Sequence, residues 1–176
     1  VDSEFRRANP QGWERAQPLV KTHLTELARH YHAVAQKSKS STDYQEAERW
    51  CRLYIASFPS EPEPAQNHFL LGELLYEDSS FAEAAVEYEK TAYGYPAHAK
   101  SADAGYAALL AHAAHEKRAP EAERPAVQRA GGESSLRFAQ AFPQDTRAAT
   151  VLTNAAEKLF ALRDAEMRAR RRHMQI

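Results

Sequence analysis

The residues best suited to chemistry in this chain are eight histidines and one cysteine. His112 and His115 stand three positions apart, so both side chains can project from one face of a helix. The pair lacks the glutamate of a zinc-protease motif and an evident third ligand, and we interpret both as surface residues. His30 and His32 lie about 200° apart on a helix and cannot share an ion. We therefore predict no metal site and no cofactor.

Other kinds of catalysis are not indicated either. Cys51 is the lone cysteine, which excludes an intrachain disulfide, and we interpret it as a small buried packing residue rather than a reactive thiol. Gly131-Gly132 lacks the context of a phosphate-binding loop. Glu87 and Glu89 are interpreted as solvated charge rather than an acid–base dyad. The sequence predicts that the chain is not an enzyme.

Length and composition exclude several classes of protein. The chain has 176 residues, of which 27% are charged and 43% hydrophobic, as expected of a folded domain. Its formal net charge of -1 argues against a nucleic-acid partner. No apolar run reaches the roughly 20 residues of a membrane-spanning helix. Alanine is abundant and isoleucine occurs only at Ile55 and Ile176, which favours an all-α fold.

An internal repeat is the main signal for the fold. Each copy ends in an aromatic residue followed by proline, at Phe58-Pro59, Tyr95-Pro96 and Phe142-Pro143. The small residues Ala47, Ala84 and Gly131 stand twelve positions before these prolines. A fixed spacing of such features, with insertions, is typical of a repeat protein.

Each copy reads as two helices that pack on one another. In FAEAAVEYEKTAYGYP, the residues Phe81, Ala84, Ala85, Tyr88 and Ala92 form one apolar stripe, and the proline stops the helix. A further helix, over 67–77, precedes it. Repeated hairpins of this kind predict a helical solenoid in which small residues such as Gly72 allow close approach.

The domain organisation follows from the repeat. We predict an irregular N-terminal lead-in over 1–16, anchored by Trp13, and an array of about three and a half repeats over 17–162. The repeats span 17–59, 65–96, 99–143 and 145–162. The remaining 163–176 is a basic segment that is either truncated or a last helix. In the third repeat, the first-helix residues that approach the second helix are ambiguous between Ala107-Ala108 and Leu110-Ala111.

The repeat resembles the tetratricopeptide repeat (TPR) family. The matching residues of one copy are Leu71, Gly72, Phe81, Ala84, Tyr88 and Pro96, and those of the copy before it are Ala35, Tyr44, Ala47 and Pro59. The resemblance implies a right-handed α-α superhelix of hairpins. The segment 56–96 also resembles bacterial outer-membrane assembly lipoproteins and Tol-Pal coordinators. That likeness implies a periplasmic scaffold protein and leaves outer-membrane association open.

The resemblance also implies where a partner binds, because the first helix of each TPR hairpin lines a concave groove. The groove positions carried over to this chain are Arg29, His32, Gln36, Lys39, Gln66, Phe69, Glu73, Tyr76 and Glu77. They form one basic-polar wall and one aromatic-acidic wall. Exposed Phe69 and Tyr76 would anchor a peptide. Alternatively, both rings pack between neighbouring repeats.

The expected function is therefore that of a non-catalytic scaffold that binds a protein or peptide partner in a concave groove. An alternative is that the chain forms an accessory region of a larger cell-wall enzyme or secretion component. Self-association through the incomplete C-terminal repeat is a further option, since the helix over 145–162 would lack a partner helix.

Overall fold

The computed structural model describes residues 4–58 and 64–173, and all its regular structure within those ranges is helical. The prediction of an all-α fold is confirmed. The helices are α1 (Glu4–Ala8), α2 (Pro10–Ser38), α3 (Ser41–Ser57), α4 (Pro64–Glu77), α5 (Phe81–Tyr93), α6 (Ser101–Arg118), α7 (Arg124–Ala141) and α8 (Ala148–His173).

The helices form a repeat-like array in which each packs mainly against the helices before and after it in the chain. The pairs α2/α3, α4/α5 and α6/α7 are antiparallel hairpins. The first helices of successive hairpins run in the same direction. For example, Asp103 and Glu116 of α6 meet Arg147, just before α8, and Lys158 of α8 in the same order.

Alanines and aromatic rings share the core. Ala35, Ala47 and Ala84 are fully buried at the contacts between helices, and Tyr88 fills the space beside them. Alanine at a crossing lets two helix backbones come close, while the ring supplies most of the buried apolar area. The prediction that the small residues of the first two repeats lie at helix contacts agrees with this packing.

The lead-in expected to be irregular over 1–16 is instead helical in its described part, from Glu4 to Ala8 and again from Pro10 onward. Asn9 begins α2, because its side-chain oxygen accepts a hydrogen bond from the Gly12 N–H at 2.8 Å. Proline is compatible with the first position of a helix, so Pro10 starts α2 rather than interrupting it. Trp13 stacks on Phe58 with ring centroids 6.4 Å apart, in agreement with an anchoring role.

The C-terminal half-repeat also differs from the expected division. Within the described residues, α8 runs without a break to His173 and so crosses the expected boundary at residue 162. The segment contains no glycine or proline, and an ion pair between Asp164 and Arg168 links successive turns. Leu152, Phe160 and Met167 lie on one side of α8 and are exposed, Phe160 by 75%. This is the surface that the expected self-association would use.

In the third hairpin, α6 approaches α7 closely at Gly105, a residue that the sequence pattern did not indicate. A Cβ atom on Gly105 would lie 3.0 Å from the Phe138 ring, as one on Gly72 would lie 2.8 Å from the Tyr88 ring. Ala108 and Ala111 are fully buried, so each of the two expected alternatives contributes one core residue. Gly131, the expected small residue of α7, is only half-buried, whereas Gly132 is buried against Leu159.

Candidate functional site

A cleft of about 670 Å³ opens between α2 and α4, and we call it the α2–α4 cleft. Residues of α2 between Pro18 and Arg29 form one wall, and residues of α4 between Gln66 and Glu73 form the other. Tyr54 of α3 and Lys100, just before α6, complete the lining.

A second cavity, of about 480 Å³, adjoins the cleft, and we call it the apolar lobe. The two share Gln66, Phe69 and Lys100. The lobe is otherwise lined mainly by small or apolar side chains, namely Ala65, Thr91, Tyr95, Pro96, Ala97 and Ala99, together with His98. The α4 face between them is therefore bordered by a charged cavity on one side and an apolar one on the other.

Four of the nine expected groove residues line this cleft, namely Arg29, Gln66, Phe69 and Glu73. Arg29 and Gln66 are exposed, whereas Phe69 and Glu73 are half-buried. Within the described residues, neither Arg29 nor Glu73 makes a hydrogen bond or an ion pair.

The ring of Phe69 separates the two cavities. It packs against Tyr88 with ring centroids 5.4 Å apart, and the ammonium group of Lys100 lies 5.1 Å from its centre. The ring thus contacts the core of its own hairpin and also lines the cleft. A cation over an aromatic face is attracted by the ring, so this contact positions Lys100 at the mouth of the lobe.

Glu73 is a half-buried acidic side chain in the cleft. Burial raises the pKa of its carboxyl group, while the nearby positive charges of His32 and Lys100 lower it by less. A carboxylate withdrawn from water without a hydrogen-bonded partner is unfavourable. This side chain therefore remains available to a cation from outside the chain.

The other four expected groove residues form a polar cluster at the C-terminal ends of α2 and α4. Glu77 accepts hydrogen bonds from Gln36 at 3.1 Å and from Tyr44 at 2.9 Å. Lys39 donates to the Tyr44 oxygen at 3.4 Å, and His32 lies 3.9 Å from Glu77. The hydrogen bonds to Glu77 hold α2 and α3 against α4, so we assign these groups a structural role, although His32 Nε2 is buried without a hydrogen-bond partner among the described residues.

Tyr76, the ninth expected residue, points elsewhere. Its ring packs on Phe81 at the start of α5, with centroids 5.0 Å apart, and 36% of the side chain is exposed. It lines neither the cleft nor the apolar lobe. The expected pair of aromatic anchors is thus reduced to Phe69.

A second polar cluster joins α5, α6 and α7. Glu89 accepts hydrogen bonds from Ser134 at 2.5 Å and from His112 at 3.3 Å, and Arg137 lies 3.6 Å from its other oxygen. The residue types suggest a serine hydrolase, but the serine hydroxyl donates to the carboxylate and not to a histidine, which activation requires. The cluster ties three helices together.

The expectation that Glu87 and Glu89 are solvated is wrong. Glu87 is buried and lies 2.5 Å from the His68 ring and 2.8 Å from the Lys90 ammonium group. Burial alone would raise the pKa of the Glu87 carboxyl, but these two hydrogen bonds outweigh it and hold the pKa below its usual value. In Glu89 the hydrogen bond to His112 is the main cause of a lowered pKa.

These lowered pKa values predict acid sensitivity. Stability contributed by a carboxyl group whose pKa is lowered in the folded state is present above the unfolded pKa and lost as the pH falls below about 4. We expect Glu87→Gln to reduce the free energy of unfolding by about 1–2 kcal/mol at pH 7. The difference between parent and variant should shrink by pH 3 in urea titrations. A difference that does not depend on pH would contradict the pairing.

The remaining candidates for chemistry are inert. Burial raises the pKa of the Cys51 thiol to about 12, so it is not a reactive thiolate. In residues 4–58 and 64–173, no group of three histidine, cysteine or acidic side chains could hold a metal ion. No helix in those ranges is both long and apolar enough to span a membrane.

Comparison with known proteins finds no family model that matches the chain and no significantly similar curated protein.

Sequence reasoning missed Lys100 and the apolar lobe. Lys100 precedes α6 and lies 31 positions after Phe69, so only the packed structure brings them together. The Tyr95-Pro96 dipeptide, identified as the end of a repeat, was a signal for the lobe, because both residues line it.

Proposed function

We propose that this protein is a non-catalytic scaffold that binds an extended segment of a partner protein in the α2–α4 cleft. The observation that carries the proposal is the side-by-side placement of Phe69, Lys100 and the unpaired Glu73 along the cleft. An aromatic anchor flanked by charges of both signs is suited to peptide recognition.

The TPR resemblance supports the same function. Gly72 and Tyr88, two of the residues that match the repeat pattern, lie in direct packing contact. We propose that the hairpins form the right-handed superhelix of that family, in which the first helices line the concave side. The α2–α4 cleft would then be the part of the concave groove contributed by the first two hairpins.

We further propose a location in the bacterial periplasm, with outer-membrane association left open. The support is the likeness of 56–96 to envelope scaffold proteins. Cell fractionation with an antibody against the chain tests this proposal. We expect the protein in the periplasmic or outer-membrane fraction, and a purely cytoplasmic distribution would contradict it.

A pull-down from bacterial envelope extract tests the binding function. We expect Phe69→Ala to reduce recovery of the partner about tenfold, because it removes the aromatic anchor of the cleft. Tyr76→Ala is the matched control, since it removes a ring from the same helix outside the cleft. Circular dichroism establishes that both variants fold.

The two variants separate the outcomes. Loss of the partner with Phe69→Ala and retention with Tyr76→Ala support the cleft. Equal recovery with parent and Phe69→Ala, or no partner enriched by the parent, would contradict it.

A further inference from the structure

Two glutamates of α4, Glu73 in the α2–α4 cleft and Glu77 beyond it, differ in their hydrogen bonding. Glu73 and Glu77 lie one turn apart on α4, but Glu77 accepts hydrogen bonds from Gln36 and Tyr44. Glu73 makes none within the described residues, and burial raises the pKa of its carboxyl group. The fold therefore supplies partners to one carboxylate and leaves its neighbour on the cleft side without any.

The two nearest basic side chains act on Glu73 through their charge and make no hydrogen bond to it. Lys100 lies over the Phe69 ring, and the His32 imidazole lies 3.9 Å from Glu77. Neither forms an ion pair with Glu73. A lysine or arginine side chain from a ligand would supply the missing partner and recover part of the cost of burying the carboxylate.

The apolar lobe lies on the other side of Phe69 from Glu73. Tyr95, Pro96 and Ala97 line it together with Ala65 and the Phe69 ring. A cavity with such a lining favours a large apolar side chain, since it gives little compensation to a buried polar group.

The spacing along α4 sets the spacing in the ligand. Phe69 and Glu73 are four residues apart on a helix, which is about 6 Å along its axis. In an extended peptide, side chains that point to the same side are two residues apart, or about 6.6 Å. An apolar and a basic side chain separated by one residue therefore match the two positions.

We propose that the α2–α4 cleft selects an extended peptide segment in which a large apolar residue and a lysine or arginine are separated by one residue. The apolar side chain packs against the Phe69 ring at the mouth of the apolar lobe, and the basic side chain pairs with Glu73. This inference rests on the proposed binding function. Lys21, Arg29 and Lys100 also line the cleft, so a segment with several basic residues is disfavoured.

Selection from a phage-displayed library of random dodecapeptides tests the inference with a defined probe. We expect the parent protein to enrich peptides with the apolar-x-basic spacing in either direction. Glu73→Lys should enrich an acidic residue in place of the basic one. The Glu14→Lys variant is the matched control, because Glu14 is an exposed residue of α2 that lines neither the cleft nor the apolar lobe. It should enrich the parent's motif.

Binding of the selected peptide, measured by fluorescence anisotropy, gives the size of the effect. We expect Glu73→Gln and Glu73→Lys to weaken binding about tenfold or more, which corresponds to roughly 1.4 kcal/mol. A peptide with glutamate in place of its basic residue should bind Glu73→Lys better than it binds the parent. Glutamine keeps the shape of Glu73 without its charge, so this variant guards against a loss of fold.

The outcomes distinguish this inference from the proposed function. Enriched peptides that are apolar without a basic residue, and that Phe69→Ala no longer binds, would overturn the inference and leave the cleft as a binding site. No enrichment by the parent, or enrichment unaffected by Phe69→Ala, would overturn both.

Discussion

Phe138→Ala should lower the free energy of unfolding by about 4 kcal/mol, the largest effect expected of a single substitution in this chain. The Phe138 ring is fully buried and lies at the meeting point of α6 and α7, with the Phe142 centroid 5.4 Å away and that of Tyr106 6.0 Å away. The Gly105 backbone packs against the edge of the Phe138 ring. Removing the ring would leave a cavity that these rigid neighbours cannot close.

Denaturation in urea measures this effect, and Phe160→Ala is its matched control. Phe160 is 75% exposed, so the same change should alter the free energy of unfolding by less than about 0.5 kcal/mol. Similar losses for the two variants would show that the third hairpin does not pack around Phe138 as described.

Gly72→Ala should destabilise the protein by about 2 kcal/mol, although alanine is the better helix former by about 1 kcal/mol. A Cβ atom at Gly72 would lie 2.8 Å from two carbons of the Tyr88 ring, closer than real contacts allow. Tyr88 is buried and cannot turn away without disturbing the core. The steric cost therefore outweighs the gain in helix propensity.

Gly131→Ala should have the opposite effect on the free energy of unfolding. Its Cβ would come no closer than 3.4 Å to His112, so the gain in helix propensity should remain and stability should rise by up to about 1 kcal/mol. Thermal unfolding of the two variants compares them directly. A Gly72→Ala variant as stable as Gly131→Ala would contradict the close packing of α4 on α5.

The sequence predicted much of the first two hairpins because their packing residues are regular. Gly72, Ala84 and Tyr88 occupy fixed positions before a proline, and periodicity places them on facing stripes. In the third hairpin the same proline count selects Gly131, whereas the buried residues of α7 are Gly132, Ser134 and Phe138. Gly131 and Gly132 are adjacent small residues, so spacing alone cannot tell which of them faces the core.

The candidate site could be predicted only in part, for a different physical reason. The TPR pattern indicates which helix face is available, and Arg29, Gln66, Phe69 and Glu73 do lie on the cleft. It cannot tell which polar side chains are satisfied by each other. Glu77 accepts hydrogen bonds from Gln36 and Tyr44, which are 41 and 33 positions before it in the chain.

The N-terminal segment shows how one residue can change the interpretation of several. Pro10 and Gly12 suggest irregular structure when read by propensity alone. Because the Gly12 N–H donates a hydrogen bond to the Asn9 side chain, Pro10 and Gly12 instead lie in the first turn of the long helix α2. The capping role of Asn9 was visible in the sequence as a polar residue directly before proline.

Photo-crosslinking from within the cleft tests the central claim most directly. A photoreactive amino acid at Gln66, which borders both the α2–α4 cleft and the apolar lobe, should form one dominant crosslink to a partner protein in the bacterial envelope. The same group at Ala82, an exposed residue of α5 that lines neither cavity, should not form it. Addition of Phe69→Ala should abolish the Gln66 crosslink. A crosslink of equal yield from Ala82, or one that survives Phe69→Ala, would contradict binding in the cleft.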